Sequence, residues 1–125
     1  MTTADGRVLI VEDNDKNMKL LRDVLRASGL ETLEATTAED GIELALAYAP
    51  SLILMDVQLP GIDGVEALAR LRSDERAASI PVVALTAQAM HGDRERFLGA
   101  GFDGYLSKPV DLAQLISVVR THCVP

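Results

Sequence analysis

Five polar residues follow short apolar runs in this sequence, and their side chains suit phosphoryl chemistry. Glu12 and Asp13 come directly after the run VLIV, and Asp56 comes directly after LILM. Thr86 follows VVAL, and Lys108 follows YLS. Three carboxylates held together repel one another unless a cation joins them, and Mg²⁺ prefers a few carboxylates completed by waters and phosphate oxygens. A hydroxyl and an ammonium can hold anionic oxygens, so the set predicts a magnesium-dependent phosphoryl site.

Asp56 is the candidate nucleophile of this site. A carboxylate can attack phosphorus and form an aspartyl-phosphate, while a metal ion and Lys108 neutralise charge on the transferred group. Pro60 and Gly61 predict a loop after Asp56, whose amides can turn toward the carboxylate. Alone, an acid after a strand is more often a turn residue or a helix cap, and its combination with the other acids and Lys108 favours chemistry. The sequence has no Gly-rich nucleotide-binding loop, so no dedicated nucleotide pocket is expected.

The elements that must position these residues alternate along the chain. Continuous apolar runs are typical of strands buried on both faces, as in a parallel sheet. They predict strands at 8–11, 52–56 and 81–85, with weaker ones at 105–107 and, at an edge, 32–35. Amphipathic helices fill the intervals. The candidate N-caps are Asn14 or Asp15, Thr36 or Thr37, and Asp111. A fourth helix is expected over about 90–100. The predicted apolar-face positions include Ala49, Val65 and Leu112.

Five strand and helix units in alternation predict a single α/β domain. The pattern is typical of a doubly wound, flavodoxin-like sheet of five parallel strands in the order 2-1-3-4-5. In that order the winding reverses between strands one and three, which end at Asp13 and Asp56, and ligands bind at such a switch point. The domain spans residues 1–125, with a folded core from about 7 to 122.

Composition limits the function further. The chain has 125 residues and a formal charge of −7, which disfavours binding to nucleic acid or to an anionic membrane. Hydrophobic residues make up 48% of the chain and Trp is absent, so an aliphatic core is expected. One cysteine, Cys123, and the lack of a leader or a membrane-length apolar run predict a cytoplasmic protein.

Four blocks of the sequence resemble the signature of response regulator receiver domains. They read VEDN at 11–14, MDVQLPGIDG at 55–64, ALTA at 84–87 and YLSKP at 105–109, in the order and at the spacing of that family. The resemblance covers nearly the whole chain, from Arg7 to about His122. Segments 14–20 and 80–93 are especially similar to single-domain cell-division regulators of the DivK type. The resemblance implies a CheY-like fold and a phosphorelay role in two-component signal transduction, with cell-cycle control as the role of DivK-type members.

Residue by residue, the resemblance implies that Asp56 accepts a phosphoryl group from the phosphohistidine of a histidine kinase or a histidine phosphotransfer protein. Asp13 and Asp56 would bind Mg²⁺ directly together with the main-chain carbonyl of Gln58, and Glu12 would act through water. Lys108 would pair with the phosphoryl group. The chain would be a phosphoacceptor switch that assists its own phosphorylation and dephosphorylation, and not an enzyme.

The resemblance also implies how the switch works. The hydroxyl of Thr86 and the amides of Val57 and Ala87 would hold the phosphoryl oxygens. Thr86 would move inward and the ring of Tyr105 would rotate into the space it leaves. That motion would change the face of the last two helices and the last strand, which a downstream protein target reads. Plain core packing is the alternative role for Tyr105. The Lys108–Pro109 bond is expected to be cis, as in the family.

Two further expectations rest on the resemblance. The first helix, with Asn14, Asn17 and Met18, would form the kinase-docking surface. Gln58 and Gln88, each two residues beyond a site residue, would tune the lifetime of the phosphoryl group.

Three alternatives remain beside the stand-alone receiver. The first is a receiver domain cut from a hybrid histidine kinase, which would act as a phosphorelay intermediate. The second is a phosphatase of the haloacid dehalogenase type, but its second acid would stand two residues after the nucleophile, where this chain has Gln58. The third is a flavodoxin-like cofactor binder, but the aromatic clamps and the Ser/Thr/Gly phosphate loop of that class are lacking.

Overall fold

The computed structural model of the chain describes residues 6–59, 61–87 and 93–123. The strands are β1 (Arg7–Val11), β2 (Glu31–Ala35), β3 (Leu52–Asp56), β4 (Val82–Thr86) and β5 (Gly104–Ser107). The helices are α1 (Asp15–Ala27), α2 (Ala38–Tyr48), α3 (Gly64–Arg72), α4 (Asp93–Ala100) and α5 (Leu112–Cys123). All strands are parallel, in the order β2-β1-β3-β4-β5. The predicted doubly wound sheet and its strand order are confirmed.

The strands at the centre of the sheet are apolar because helices cover both of their faces. Every residue of β3 and β4 is buried, whereas β2, at the edge, has exposed positions as predicted. In the register of the sheet Val11 lies beside Met55, and Asp56 lies beside Leu85. The carboxyl ends of β1, β3 and β4 therefore meet at one edge.

Alternate residues of the strands pack into two separate hydrophobic cores, one on each face of the sheet. Leu9 and Val11 pack on one face with residues of α2, α3 and α4, while Val8 and Ile10 pack on the other with residues of α1 and α5. Both cores are mainly aliphatic, as the composition predicts. No helix in the described ranges has the length and apolarity needed to cross a bilayer.

Side-chain caps fix where the helices begin. In α1, α2 and α3 the capping side chain accepts a hydrogen bond from the backbone N–H three residues later, which satisfies a group that the first turn leaves unpaired. Of the paired possibilities in the sequence, Asn14 and Thr37 are the caps. Asp111 accepts from the N–H of Gln114 at 3.1 Å before α5, as predicted.

Four residues predicted on apolar or docking faces lie elsewhere. Val65 and Leu112 are each 46% exposed, because α3 and α5 turn neighbouring residues toward the core. Ala49 is not helical: it ends α2 with a φ of 46°. Met18 is only 6% exposed, so the prediction that it helps form a docking surface is wrong, and Leu20, 40% exposed, is the large apolar side chain that α1 exposes. The expected start of the fourth helix near residue 90 lies outside the described residues.

Arg72, the last residue of α3, bonds to the segments that precede β4 and β5, at the amino ends of the strands. Its guanidinium donates to the carbonyls of Ile80 at 2.7 Å and Ala78 at 3.3 Å, and to Asp103 Oδ2 at 2.9 Å. The same oxygen of Asp103 accepts the N–H of Val82 at 2.8 Å. One cation therefore holds the end of α3 against the starts of β4 and β5.

Replacing Arg72 by alanine is expected to lower the free energy of unfolding by about 2 kcal/mol, since hydrogen bonds to charged groups contribute about 1.5–3 kcal/mol and partial exposure weakens them. Urea unfolding measures the loss. Arg70→Ala is the matched control, because its ion pair with Glu66 on the same helix is half exposed and such pairs contribute about 0.3–0.5 kcal/mol. Equal losses in the two variants would contradict the role given to Arg72.

Candidate functional site

The edge where β1, β3 and β4 end holds a group of buried polar residues. Within the described residues these are Glu12, Asp56 and Thr86, which are 1%, 3% and 1% exposed. Each sits at or directly after the end of one of these strands, so the register of the sheet brings them together. Burying a polar group costs free energy unless it is paired, so this concentration at one edge indicates a site.

Three carboxylates converge there, as the sequence predicts. One oxygen from each of Glu12, Asp13 and Asp56 lies within 4.8 Å of the others. Asp13 is exposed while the other two are buried, so the cluster has one side open to water. Carboxylates with access to solvent are the donor set that Mg²⁺ accepts, since this ion keeps several waters. The residues present therefore fit a magnesium ion.

The ammonium of Lys108 lies among these acids. Its Nζ is 2.6 Å from Asp56 Oδ2 and 2.7 Å from Glu12 Oε1. The contact with Asp56 is a hydrogen bond, whereas Glu12 Oε1 accepts no well-directed bond and is held by charge. The second oxygen of Glu12 accepts the N–H of Asn14 at 3.1 Å. Both buried acids thus share one cation.

Burial and this shared cation shift the pKa values in the site. Burial raises the pKa of Glu12, and the charge of Asp56 adds to the rise, against the opposing pull of Lys108. Burial lowers the pKa of Lys108, but its hydrogen bond to Asp56 and its ion pair with Glu12 outweigh that effect and the net pKa is raised. Lys108 therefore carries its positive charge in the site.

The main chain after Asp56 presents one amide to the carboxylate. The N–H of Gln58 donates to Asp56 Oδ1 at 2.8 Å, while the N–H of Val57 donates to the carbonyl of Leu85 at 3.0 Å. The family resemblance implies a metal-binding carbonyl for Gln58 and an amide contact with the phosphoryl oxygens for Val57, and both roles stay predictions. No pattern in the sequence distinguishes the two amides, because the choice depends on how the loop turns.

Thr86 lies beside the end of β5, which leads into Lys108. The N–H of Lys108 donates to the carbonyl of Thr86 at 2.8 Å, which ties the end of β5 to the end of β4. Ala87 is exposed beside it, and the Lys108–Pro109 bond is cis as expected.

Tyr105 is partly buried, with its ring centroid 6.2 Å from that of Phe97. That contact agrees with core packing, so the switch role of Tyr105 stays a prediction. Gln88 lies outside the described residues.

The family of the chain follows from comparison with known proteins. A model of the response regulator receiver domain matches residues 8–120. The polar-differentiation response regulator DivK of Brucella ovis is 44% identical over 115 residues, which cover 92% of this chain and 94% of that protein. The chain belongs to the response regulator receiver domain family, and it is a receiver domain of two-component signalling.

Solved structures agree with this family. The receiver domain of sensor histidine kinase PA1611 from Pseudomonas aeruginosa, with a magnesium ion coordinated in its active site cleft, is 33% identical and superimposes with a TM-score of 0.87 over 96% of this chain and 98% of that one. A second match comes from the complex of the Saccharomyces cerevisiae phosphotransfer protein Ypd1 with the receiver domain of its downstream response regulator Ssk1. It is 29% identical, with a TM-score of 0.86 over 98% of this chain and 92% of that one.

Proposed function

We propose that this receiver takes a phosphoryl group from a phosphohistidine onto Asp56. The observation that carries the proposal is the position of Asp56, whose Oδ2 lies 2.6 Å from Lys108 Nζ and whose carboxylate is within 4.8 Å of those of Glu12 and Asp13. The hydrogen bonds from Lys108 and Gln58 fix the orientation of the carboxylate before reaction. A fixed nucleophile beside a fixed positive charge needs little rearrangement in the transition state.

The transfer needs only one bond made and one broken. An oxygen of the Asp56 carboxylate attacks phosphorus, and the P–N bond to the donor imidazole breaks as the P–O bond forms. The donor leaves as histidine, which takes up a proton. Lys108 Nζ already contacts Asp56 Oδ2, so the ammonium is positioned to neutralise the negative charge that the phosphoryl group adds. The hydroxyl of Thr86, with the amides of Val57 and Ala87, is assigned to the phosphoryl oxygens by the family resemblance.

Magnesium fits this site through the carboxylates described above. Asp13 and Asp56, with the carbonyl of Gln58, would hold the ion, and Glu12 would act through water. When bound, the ion supplies positive charge that neutralises the oxygens of the phosphoryl group. The presence of magnesium in the PA1611 receiver, which has the same fold, supports the assignment.

The partners follow from the two ends of the transfer. The donor would be a histidine kinase or a histidine phosphotransfer protein, in keeping with the Ypd1 and Ssk1 receiver complex. The output would be the face formed by α4, β5 and α5, where Leu98, Tyr105, Gln114 and Val118 line a shallow groove. A downstream protein would read that face once Thr86 and Tyr105 respond to the phosphoryl group. A receiver within a hybrid kinase would use the same acceptor chemistry.

The chemistry is tested by incubation with a small phosphoryl donor. Acetyl phosphate with Mg²⁺ is expected to add one phosphoryl group to each chain, detected by intact mass, because the acids and Lys108 assist attack without a partner protein. Excess chelator is expected to stop the labelling while the circular dichroism spectrum stays unchanged. The matched control is chelator already loaded with Mg²⁺, which leaves the labelling intact. Undiminished labelling in free chelator would contradict the magnesium assignment.

A further inference from the structure

Gly64 lies closer to the residue after Asp56 than a side chain would allow. A Cβ atom on Gly64 would be 2.8 Å from Val57 Cα, 2.9 Å from its Cγ1 and 3.0 Å from its Cβ. Gly64 does not need to be glycine for its backbone conformation, since it is not among the glycines with positive φ. The space beside Val57 is therefore the reason that glycine suits this position.

Val57 is held between two neighbours and leads directly into the site. Its N–H donates to the carbonyl of Leu85 in β4 at 3.0 Å, and its carbonyl lies 3.4 Å from the N–H of Gly64. The next amide, that of Gln58, donates to Asp56 Oδ1 at 2.8 Å. A displacement of Val57 Cα therefore displaces the main chain of Gln58 relative to Asp56.

A methyl group at position 64 could not be relieved by a side-chain rotation alone. Its nearest neighbour would be the main-chain Cα of Val57, closer than Cβ atoms come to other atoms in real structures. The hydrogen bond of Val57 to β4 resists movement on the other side. Either the segment 57–58 or the start of α3 would have to move.

From these contacts we infer that Gly64 is a positioning residue, whose lack of a side chain lets α3 hold the main chain of Gln58 against Asp56. The part of this inference that concerns magnesium rests on the proposed function, in which the carbonyl of Gln58 is a ligand. Mg²⁺ demands near-ideal octahedral geometry at about 2.0–2.1 Å, so a small displacement of one ligand weakens binding. Changes to residues that orient metal ligands typically lower the affinity about 10–100-fold.

Gly64→Ala in the full chain tests the inference with two measurements. In metal-free protein the amide resonance of Gln58 is expected to shift and its hydrogen exchange to accelerate, as its bond to Asp56 weakens. The Kd for Mg²⁺, measured by titration calorimetry, is expected to rise about tenfold or more. Gly29→Ala is the matched control. Gly29 lies in the turn before β2, at the amino ends of the strands, and has a φ of +88°. An added Cβ would meet open space there, so alanine strains the backbone without crowding a neighbour. It should lose stability and change neither measurement.

A second variant separates the main-chain contact from the side-chain contact. Gly64→Ala combined with Val57→Ala removes the crowding with Cγ1 but keeps the 2.8 Å approach to Cα. It is the variant to measure if Gly64→Ala alone does not fold, with Val57→Ala as its reference. The Gln58 amide should remain shifted and Mg²⁺ binding should remain weak.

The outcomes distinguish this inference from the proposed function. An unshifted Gln58 amide in Gly64→Ala, or full recovery in the double variant, would overturn the positioning role. If the unmutated protein bound no Mg²⁺, the proposed metal site would fail, while the Gln58 amide in metal-free protein would still decide the role of Gly64.

Discussion

Asp56→Asn is expected to abolish phosphoryl labelling and to leave the fold intact. The amide oxygen of asparagine can still accept the N–H of Gln58, which now donates to Asp56 Oδ1 at 2.8 Å, so the loop keeps its main bond. The substitution removes one negative charge from a buried cluster that shares a single cation, so no buried charge is left without a partner. What is lost is the nucleophilic carboxylate itself. Intact mass after incubation with acetyl phosphate and Mg²⁺ measures the loss.

A neighbouring acid gives the matched control for that experiment. Asp63 lies in the loop after Asp56 and caps α3 by accepting the N–H of Glu66 at 2.8 Å. Asparagine is about as good a cap as aspartate, so Asp63→Asn should fold and be labelled like the unmutated chain. Labelling of Asp56→Asn at the unmutated level would show that another residue is the acceptor.

The sequence predicts the framework of this site well, because the framework depends on local patterns. The apolar runs that end at Glu12 and Asp56 are strands, and their parallel order sets those acids side by side. Asn14 and Thr37 cap helices because a short polar side chain stands just before an amphipathic segment. These features need only the order of residues and the periods of helix and strand.

The rest depends on contacts between segments that are distant in the sequence. Arg72 and Asp103 form an ion pair 31 residues apart, and no periodic pattern marks them as partners. The exposure of Val65 depends on where α3 begins, which is Gly64. If the helix began one residue earlier or later, each side chain would turn by about 100° around the helix axis. The amide that faces Asp56 depends on how closely α3 approaches Val57. Tertiary packing decides such details, and spacing along the chain does not encode them.

The position of Lys108 raises a question of competition in the site. Its ammonium contacts the same two buried acids that lie beside Asp13 in the predicted magnesium site. One positive charge already compensates Glu12 and Asp56 in this structure. A metal ion near these carboxylates would therefore share them with Lys108, and its affinity depends on that cation. Removing the ammonium separates the two contributions.

Lys108→Met is expected to lower the free energy of unfolding by about 3 kcal/mol in the absence of divalent metal, the low end for a buried ion pair that loses one partner. The low end applies because burial raises the pKa of Glu12, which can take up a proton instead. Urea unfolding in chelator measures the loss. Lys19→Met is the matched control, since its pair with Asp23 is more than half exposed and such pairs contribute about 0.3–0.5 kcal/mol.

Magnesium is then expected to restore more stability to Lys108→Met than it adds to the unmutated chain. A ligand that binds only the folded state stabilises it by RT ln(1 + [L]/Kd), about 2.7 kcal/mol at 100 times the Kd. The Kd should fall in the variant because no ammonium competes for Glu12 and Asp56. Phosphoryl transfer should nevertheless slow by about 10²–10³-fold, the effect of removing one preorganised donor from a transition state. Equal magnesium stabilisation of both proteins would mean that the ammonium and the ion do not compete, and that Lys108 acts on the phosphoryl group alone.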